Sequence, residues 1–273
     1  MALVMGVLNV TPDSFSDGGE HLAPERAVER AARMIEEGAA WIDVGGESTR
    51  PGALPVDPDE ERRRVLPVLD AIVPLARAAG VGVSIDTRNE ATARAAVAHG
   101  AALINDVAAT LWPVAAELGV GWVAMHMLGD PRTMQRSPRY GDVVDEVRRF
   151  LVERATAARE AGVPEVWVAP GIGFGKTTTH NLQLLARLEV LVAEGFDVLV
   201  GTSRKRFTGE LVGRSDARVG AGREGIAPLE DRLEGSVGTA VWAIRKGAAM
   251  VRAHDVAATV RAAAVAGGRV DAP

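Results

Sequence analysis

Short apolar runs alternate with helix-period stretches along the whole chain. Several runs are apolar at successive positions instead of alternating, which is typical of parallel strands that are covered on both faces. The predicted strands are 3–9, 40–45, 81–86, 102–106, 122–126, 166–169, 197–201 and 248–253.

The segments between these runs are predicted to be helices. In the first, Val28, Ala31, Ala32 and Ile35 recur on one helical face, and Gly38 stands where a C-terminal cap is expected. The remaining helices are predicted from Asp57 onward and over 89–99, 112–118, 142–161, 180–194, 230–246 and 255–265.

Regular alternation of strand and helix predicts one α/β domain over residues 1–273, a (β/α)8 TIM barrel. A doubly wound open sheet is the alternative, but eight regular units favour the barrel. Active sites in barrels form at the C-terminal ends of the strands, in the loops that lead to the helices.

Polar groups stand at seven of the eight predicted strand ends. Such groups are expensive to bury unless something polar binds among them, so we expect them to converge on one rim. Taken singly, each could instead bind loop amides and cap the next helix. The residues at the eight strand ends are, in order, Asn9, Asp43, Asp86, Asn105 with Asp106, His126, Ala169, Ser203, and Arg252 with His254, and the apolar end is that of Ala169.

Composition narrows the class of protein. An apolar content of 47% can form a full core, and the net charge of −5 argues against a nucleic-acid or anionic-membrane surface. The chain has no cysteine and no apolar run of membrane-spanning length, so we expect neither disulfides nor a membrane span. A cytoplasmic location is compatible with this composition.

Cations follow the last two strands, where barrels frequently bind phosphate. Lys205, Arg252 and His254 occupy these positions. The glycine-rich segment 169–177 has neither the spacing of a phosphate loop nor that of a dinucleotide fingerprint, and it is interpreted as a flexible ligand loop. Segments 9–19 and 45–53, the second of which carries Arg50, have the composition of lids over a site.

Eight strings of the sequence resemble the dihydropteroate synthase family, in family order and over nearly the whole chain. Together they are far more specific than any one of them. They are MGVLNVTPDSFSDGG (5–19), WIDVGGESTRPGA (41–53), VSIDTR (83–88), INDV (104–107), MHMLGDPRTMQ (125–135), PGIGFGK (170–176), TSRKRF (202–207) and VRAHDV (251–256).

The resemblance implies a transferase of folate biosynthesis and a target of sulfonamides. Such an enzyme joins 6-hydroxymethyl-7,8-dihydropterin diphosphate to p-aminobenzoate and releases 7,8-dihydropteroate and diphosphate. It also implies Mg²⁺, a TIM barrel and a homodimer, while the composition predicts a cytoplasmic protein with no nucleic-acid or membrane partner.

The resemblance also implies roles for individual residues. Pterin diphosphate would be bound by Thr49, Asp86, Asn105, Lys205, Arg252 and His254, and the catalytic groups would be Lys205, Arg252 and His254. The p-aminobenzoate pocket would be formed by Phe15, Pro51, Phe174, Ser203 and Lys205, with Arg50 in a lid. Asn9 would ligate Mg²⁺.

The sequence departs from the family pattern at one position. Where the family reads Asp-Pro-Gly after strand six, this chain has Ala169, and the missing aspartate would pair with nitrogens of the pterin. Water or another acid such as Asp43 could replace it. One alternative therefore stays open, a catalytically weak pterin-binding paralogue. A second alternative is a pterin-dependent corrinoid methyltransferase domain, which shares the barrel and the INDV-like string.

Overall fold

Eight parallel strands close into a barrel in sequence order, with β1 paired to both β2 and β8. The computed structural model describes residues 2–11, 23–48, 53–220 and 225–267. The strands are β1 Leu3–Asn9, β2 Trp41–Gly45, β3 Gly82–Asp86, β4 Leu103–Asp106, β5 Gly121–Met125, β6 Val166–Ala169, β7 Asp197–Gly201 and β8 Met250–Ala253. The predicted (β/α)8 barrel is confirmed.

Helices surround this barrel. Within the described residues they are α1 Ala23–Glu36, α2 Pro58–Ala78, α3 Glu90–Ala98, α4 Trp112–Leu118, α5 Val143–Glu160, α6 Thr178–Ala186, α7 Glu189–Val192, α8 Arg206–Arg218, α9 Leu233–Arg245 and α10 Val256–Gly267. A short 3₁₀ helix, Leu229–Asp231, precedes α9.

The structure differs from the predicted pattern of one helix per strand in two places. The segment predicted as a helix over 180–194 divides into α6 and α7, and α8 was not predicted. Helix α8 contains Gly209 and Gly213, which weaken its helical signal. Both are needed for packing, because a Cβ on Gly213 would lie 1.8 Å from the carbonyl oxygen of Gly225 and one on Gly209 would lie 2.9 Å from that of Ala227.

Side chains alternate along the strands between two cores. One face packs against the helices, and the other fills the barrel with a separate apolar cluster of Met5, Leu103, Val107, Val123, Met125, Trp167, Ala169, Leu199 and Met250. Two residues further along β4 and β8, Asn105 and Arg252 share the inward phase of Leu103 and Met250. A polar layer therefore lies on this apolar filling, formed by Asp43, Ser84, Asp86, Asn105 and Arg252.

The loop after β6 needs glycine because it passes against the loop after β5. Gly171 has φ +65°, and a Cβ there would lie 1.8 Å from the carbonyl oxygen of His126. Gly175 has φ +63°, and its Cβ would lie 2.6 Å from the carbonyl oxygen of Leu128. The glycines that suggested a flexible ligand loop thus allow close backbone contact.

Alanine at Gly171 should destabilise the protein more than alanine at Gly119. Gly119 has the same φ of +65° but no neighbouring atom within 4 Å of its Cβ position. Gly119→Ala should lower the free energy of unfolding by about 1–2 kcal/mol through backbone conformation alone. Gly171→Ala should lose about 1–3 kcal/mol more from the clash. Denaturant unfolding of both variants measures the difference, and equal losses would contradict the close contact.

Candidate active site

A cavity of about 1160 Å³ opens at the C-terminal ends of the strands. It is bounded by the ends of β1, β3 and β8 and by the loops after β2, β6 and β7. Seven of the residues singled out from the sequence line it: Asn9, Asp86, Phe174, Ser203, Lys205, Arg252 and His254.

Arg252 links two carboxylates at the base of this cavity. Its Nε donates to Oδ2 of Asp43 at 2.6 Å, and its Nη2 donates to Oδ2 of Asp86 at 2.8 Å. Burial raises the pKa of Asp86, and the charge of Asp43 acts in the same direction while Arg252 opposes it. The second oxygen of Asp86 is buried and has no hydrogen-bond partner in the described part of the chain.

Lys205 lies at the N-terminus of α8 and reaches back across the cavity. Its Nζ donates to the carbonyl oxygen of Ile172 and lies 4.6 Å from the ring centroid of Phe174. Burial and the neighbouring Arg252 lower the pKa of Lys205 to about 7. An amine with such a pKa titrates near neutrality, beside an aromatic surface on which a flat ligand can stack.

A strained turn presents Ser203 and Lys205 to the cavity. Between them, Arg204 has φ +57°, an uncommon value for a residue other than glycine. The backbone N–H of Arg204 donates to Oγ of Ser236 at 2.8 Å, and its side chain forms an ion pair with Asp255. These contacts with α9 and with the start of α10 stabilise the turn.

Ser203 also joins the ends of β7 and β8. Its Oγ accepts a hydrogen bond from the backbone N–H of His254 at 3.1 Å and lies 3.1 Å from Nδ1 of the same residue. Arg30 of α1 donates to the carbonyl oxygen of His254 at 2.7 Å. The two residues are therefore held together beside Lys205 and Arg252.

The expectation that all seven polar strand ends converge on the rim is wrong for Asp106. Its carboxylate accepts hydrogen bonds from the backbone of Ala108, Thr110 and Leu111 and from the indole of Trp122. Asp106 therefore stabilises the loop before α4. This is the alternative role stated above for polar strand ends, which is to bind loop amides.

His126 also turns away from the rim and binds Lys176, which sequence analysis had not identified as part of the site. Nζ of Lys176 lies 2.8 Å from Nδ1 of His126 and donates to the carbonyl oxygens of His126 and Phe174. Burial and the charge of Lys176 lower the pKa of His126 to about 3, so the imidazole is neutral at pH 7. Lys176 lines the cavity and holds Phe174 in place.

Ala169 and Asp43 are the two positions that bear on the aspartate missing at the end of β6. Ala169 is buried in the apolar filling of the barrel, and its partner in the strand register is Met125. Asp43 was a candidate substitute, but it is fully buried and does not line the cavity. That expectation is wrong, because its carboxylate is already bound to Ser84, Asn105 and Arg252.

Asn105 lies at the edge of the site instead of on the cavity wall. It is buried in the polar layer beside Asp86, its register partner on β3. Four other predicted site residues, Phe15, Thr49, Arg50 and Pro51, lie outside the described residues.

The model of the pterin binding enzyme family matches residues 5–254. The chain therefore belongs to this family, and its (β/α)8 barrel is the fold of the related enzymes of known structure.

Relatives that the chain matches over nearly its full length include several dihydropteroate synthases. That of Escherichia coli K12 is 44% identical in an alignment of 265 positions that covers 95% of this chain and 88% of the relative. The Xanthomonas albilineans dihydropteroate synthase solved with 4-aminobenzoic acid is 46% identical, with a TM-score of 0.88 over 100% of this chain and 94% of that one. The same enzyme in complex with 7,8-dihydropteroate is 44% identical, with a TM-score of 0.84 over 100% and 95%.

Within its class, this chain thus groups with the dihydropteroate synthases, which are transferases. Neither the weak paralogue nor the corrinoid methyltransferase domain is favoured by these relatives.

The raised pKa of Asp86 predicts how its replacement changes stability with pH. A carboxyl whose pKa is higher in the folded than in the unfolded state stabilises the fold below the unfolded value of 3.8, and this contribution is lost as the pH rises through about 7. The free energy of unfolding of Asp86→Asn, relative to wild type, should therefore increase between about pH 4 and pH 7. Denaturant titrations across that range test this, and a difference independent of pH would contradict it.

Proposed function

We propose that this chain joins 6-hydroxymethyl-7,8-dihydropterin diphosphate to p-aminobenzoate, with release of 7,8-dihydropteroate and diphosphate. The observation that carries the proposal is the convergence of Asp86, Lys205 and Arg252 on one cavity in a chain of this family. An acceptor for ring nitrogens, an aromatic shelf and cations for phosphate are the groups that these substrates need.

Asp86 and Asn105 bind the amide and amino edge of the pterin in this proposal. The open Oδ1 of Asp86 supports the assignment, since a buried acceptor without a partner is costly until a ligand fills it. Arg252 and His254, two residues apart at the end of β8 and both in the cavity lining, bind the diphosphate, and Arg252 also lies against the pterin ring. Thr49 is expected at the diphosphate end.

p-Aminobenzoate is placed against Phe174, Ser203 and Lys205, with Phe15 and Pro51 completing its pocket. The ring of Phe174 below Nζ of Lys205 supports this placement, because it offers an aromatic face beside a cation. Arg50 belongs to the lid that excludes water.

The reaction is a substitution at the exocyclic methylene of the pterin. The carbon–oxygen bond to diphosphate breaks first, and the diphosphate keeps the electron pair. The resulting cation is stabilised by the ring until the nitrogen of p-aminobenzoate attacks it, forms the carbon–nitrogen bond and loses a proton to solvent. An aromatic amine is unprotonated near pH 7, so catalysis depends on stabilising the leaving group and on positioning.

Mg²⁺ is part of the proposal, with Asn9 as its protein ligand. When bound, this ion neutralises charge on the departing diphosphate. The side chain of Asn9 lines the same cavity as Arg252 and His254, and no cluster of three or more acidic or histidine side chains suited to a metal exists among the described residues. One amide oxygen suits an ion that takes its other ligands from phosphate and water. A higher Mg²⁺ requirement in Asn9→Ala would support the assignment.

A homodimer and a cytoplasmic location complete the proposal. No helix among the described residues is long and apolar enough to cross a membrane. Three large apolar residues are exposed on two neighbouring helices: Leu182 on α6, and Leu233 and Trp242 on α9. The indole N–H of Trp242 donates to the carbonyl oxygen of Leu185 on α6, which joins the two helices. Sedimentation equilibrium tests the dimer, and cell fractionation tests the location.

Replacing Lys205 with alanine should reduce turnover severely without unfolding the protein. Loss of a preorganised charged donor costs about 10²- to 10³-fold in rate. The assay is diphosphate release with and without p-aminobenzoate. Lys246→Ala is the matched control, because Lys246 is a half-buried lysine paired with Glu189 outside the cavity. A wild-type chain whose diphosphate release is not accelerated by p-aminobenzoate would contradict the proposed activity.

Introducing an acid at Ala169 should strengthen binding of the pterin. One charge-assisted hydrogen bond corresponds to about 1.5–3 kcal/mol, so Ala169→Asp should lower the dissociation constant about ten- to hundredfold. The same variant should be less stable without ligand, because its carboxyl would be buried beside Met125 and Trp167. Ala169→Asn, of equal size but uncharged, is the control. Calorimetry that gives an unchanged dissociation constant would mean that another group already takes this role.

A further inference from the structure

Asp43 is a buried carboxylate that the proposed reaction does not use. Its side chain is fully buried on β2, and it does not line the cavity. Oδ1 accepts a hydrogen bond from Oγ of Ser84 at 2.6 Å, and Oδ2 accepts from Nδ2 of Asn105 at 2.9 Å and from Nε of Arg252 at 2.6 Å. It therefore reaches the ligand only through its neighbours.

The contact with Asp43 fixes which end of the Asn105 amide is turned inward. A side-chain amide has an NH₂ donor at one end and an oxygen acceptor at the other. A carboxylate in an ion pair with arginine can only accept, so the NH₂ end must face Asp43. Within the described residues, the Asn105 side chain makes no other hydrogen bond. The oxygen of its amide is therefore left for a ligand.

The free oxygen of Asn105 has a counterpart in Asp86. The two residues are register partners on β4 and β3, and Asp86 keeps Oδ1 without a partner while Oδ2 binds Arg252. Two acceptors thus stand side by side. Such a pair binds a heterocycle with two adjacent N–H donors and disfavours one that presents an oxygen at either place, because facing acceptors are desolvated without a hydrogen bond.

We infer that Asp43 is a positioning residue that sets the hydrogen-bond polarity of this recognition edge by holding the Asn105 amide with its oxygen toward the ligand. The inference rests on the proposed pterin site and adds a determinant of its specificity. A different role, in which Asp43 only balances the charge of Arg252, makes a different prediction for selectivity.

Two replacements of Asp43 separate these roles. In Asp43→Asn, the new amide oxygen can still accept from Asn105 and Arg252 while its NH₂ donates to Ser84, so the charge is lost and the orientation is kept. In Asp43→Leu, charge and acceptor are both lost, and the Asn105 amide is free to rotate. Arg252 retains Asp86 as a partner in both variants.

The measurement is a ratio of two dissociation constants, obtained by calorimetry. The probes are 6-hydroxymethyl-7,8-dihydropterin and the corresponding lumazine, in which an exocyclic carbonyl oxygen at C2 replaces the 2-amino group. Wild type and Asp43→Asn should prefer the pterin about ten- to hundredfold. Asp43→Leu should bind the two compounds within about threefold of each other, since a rotating amide suits either one.

An independent variant keeps the test decisive where Asp43→Leu does not fold. In Asn105→Asp, a proton shared with Asp43 leaves an acceptor toward the ligand, so the preference for the pterin should persist. Loss of that preference in Asn105→Asp, or a selectivity ratio in Asp43→Leu equal to that of wild type, would overturn the inference. A wild-type chain that binds neither compound would instead overturn the proposed pterin site.

Discussion

The ion pair between Asp43 and Arg252 is the interaction on which the site depends. Charges inside a barrel are costly unless each has partners with good geometry. Asp43 on β2 finds donors on β3, β4 and β8, and Arg252 returns a second bond to Asp86 on β3. Hydrogen bonds between side chains therefore connect four strands of the barrel at the base of the cavity.

The fold was readable from the sequence because its signal is repeated. Continuous apolar runs indicate strands that are covered on both faces. The barrel topology then brings the C-terminal ends of these strands together. Helix α8 was not readable, because Gly209 and Gly213 serve a tertiary contact with the segment 225–227 and obscure the local pattern. Packing that overrides local propensity cannot be inferred from the local pattern alone.

The sequence predicted the level along the barrel axis at which the site residues lie. It predicted less well on which face of its strand each side chain stands. Asn105 and Arg252 share the inward phase of the strand, whereas Asp106 and His126 stand one residue later than inward-facing neighbours and turn away. Alternation along β4 and β5 would have separated them. The bond between Lys176 and His126 joins positions 50 residues apart, and no spacing in the sequence indicates it.

The alanine at the end of β6 has a consequence for inhibitor selectivity. Ala169 gives this part of the barrel a methyl surface continuous with Met125 and Trp167. In the proposed pterin site, a heterocyclic inhibitor that needs an acidic partner at this position would find only a methyl group here. A compound with a small apolar substituent on the same edge would fit this chain and would be rejected where a carboxylate must stay solvated or paired.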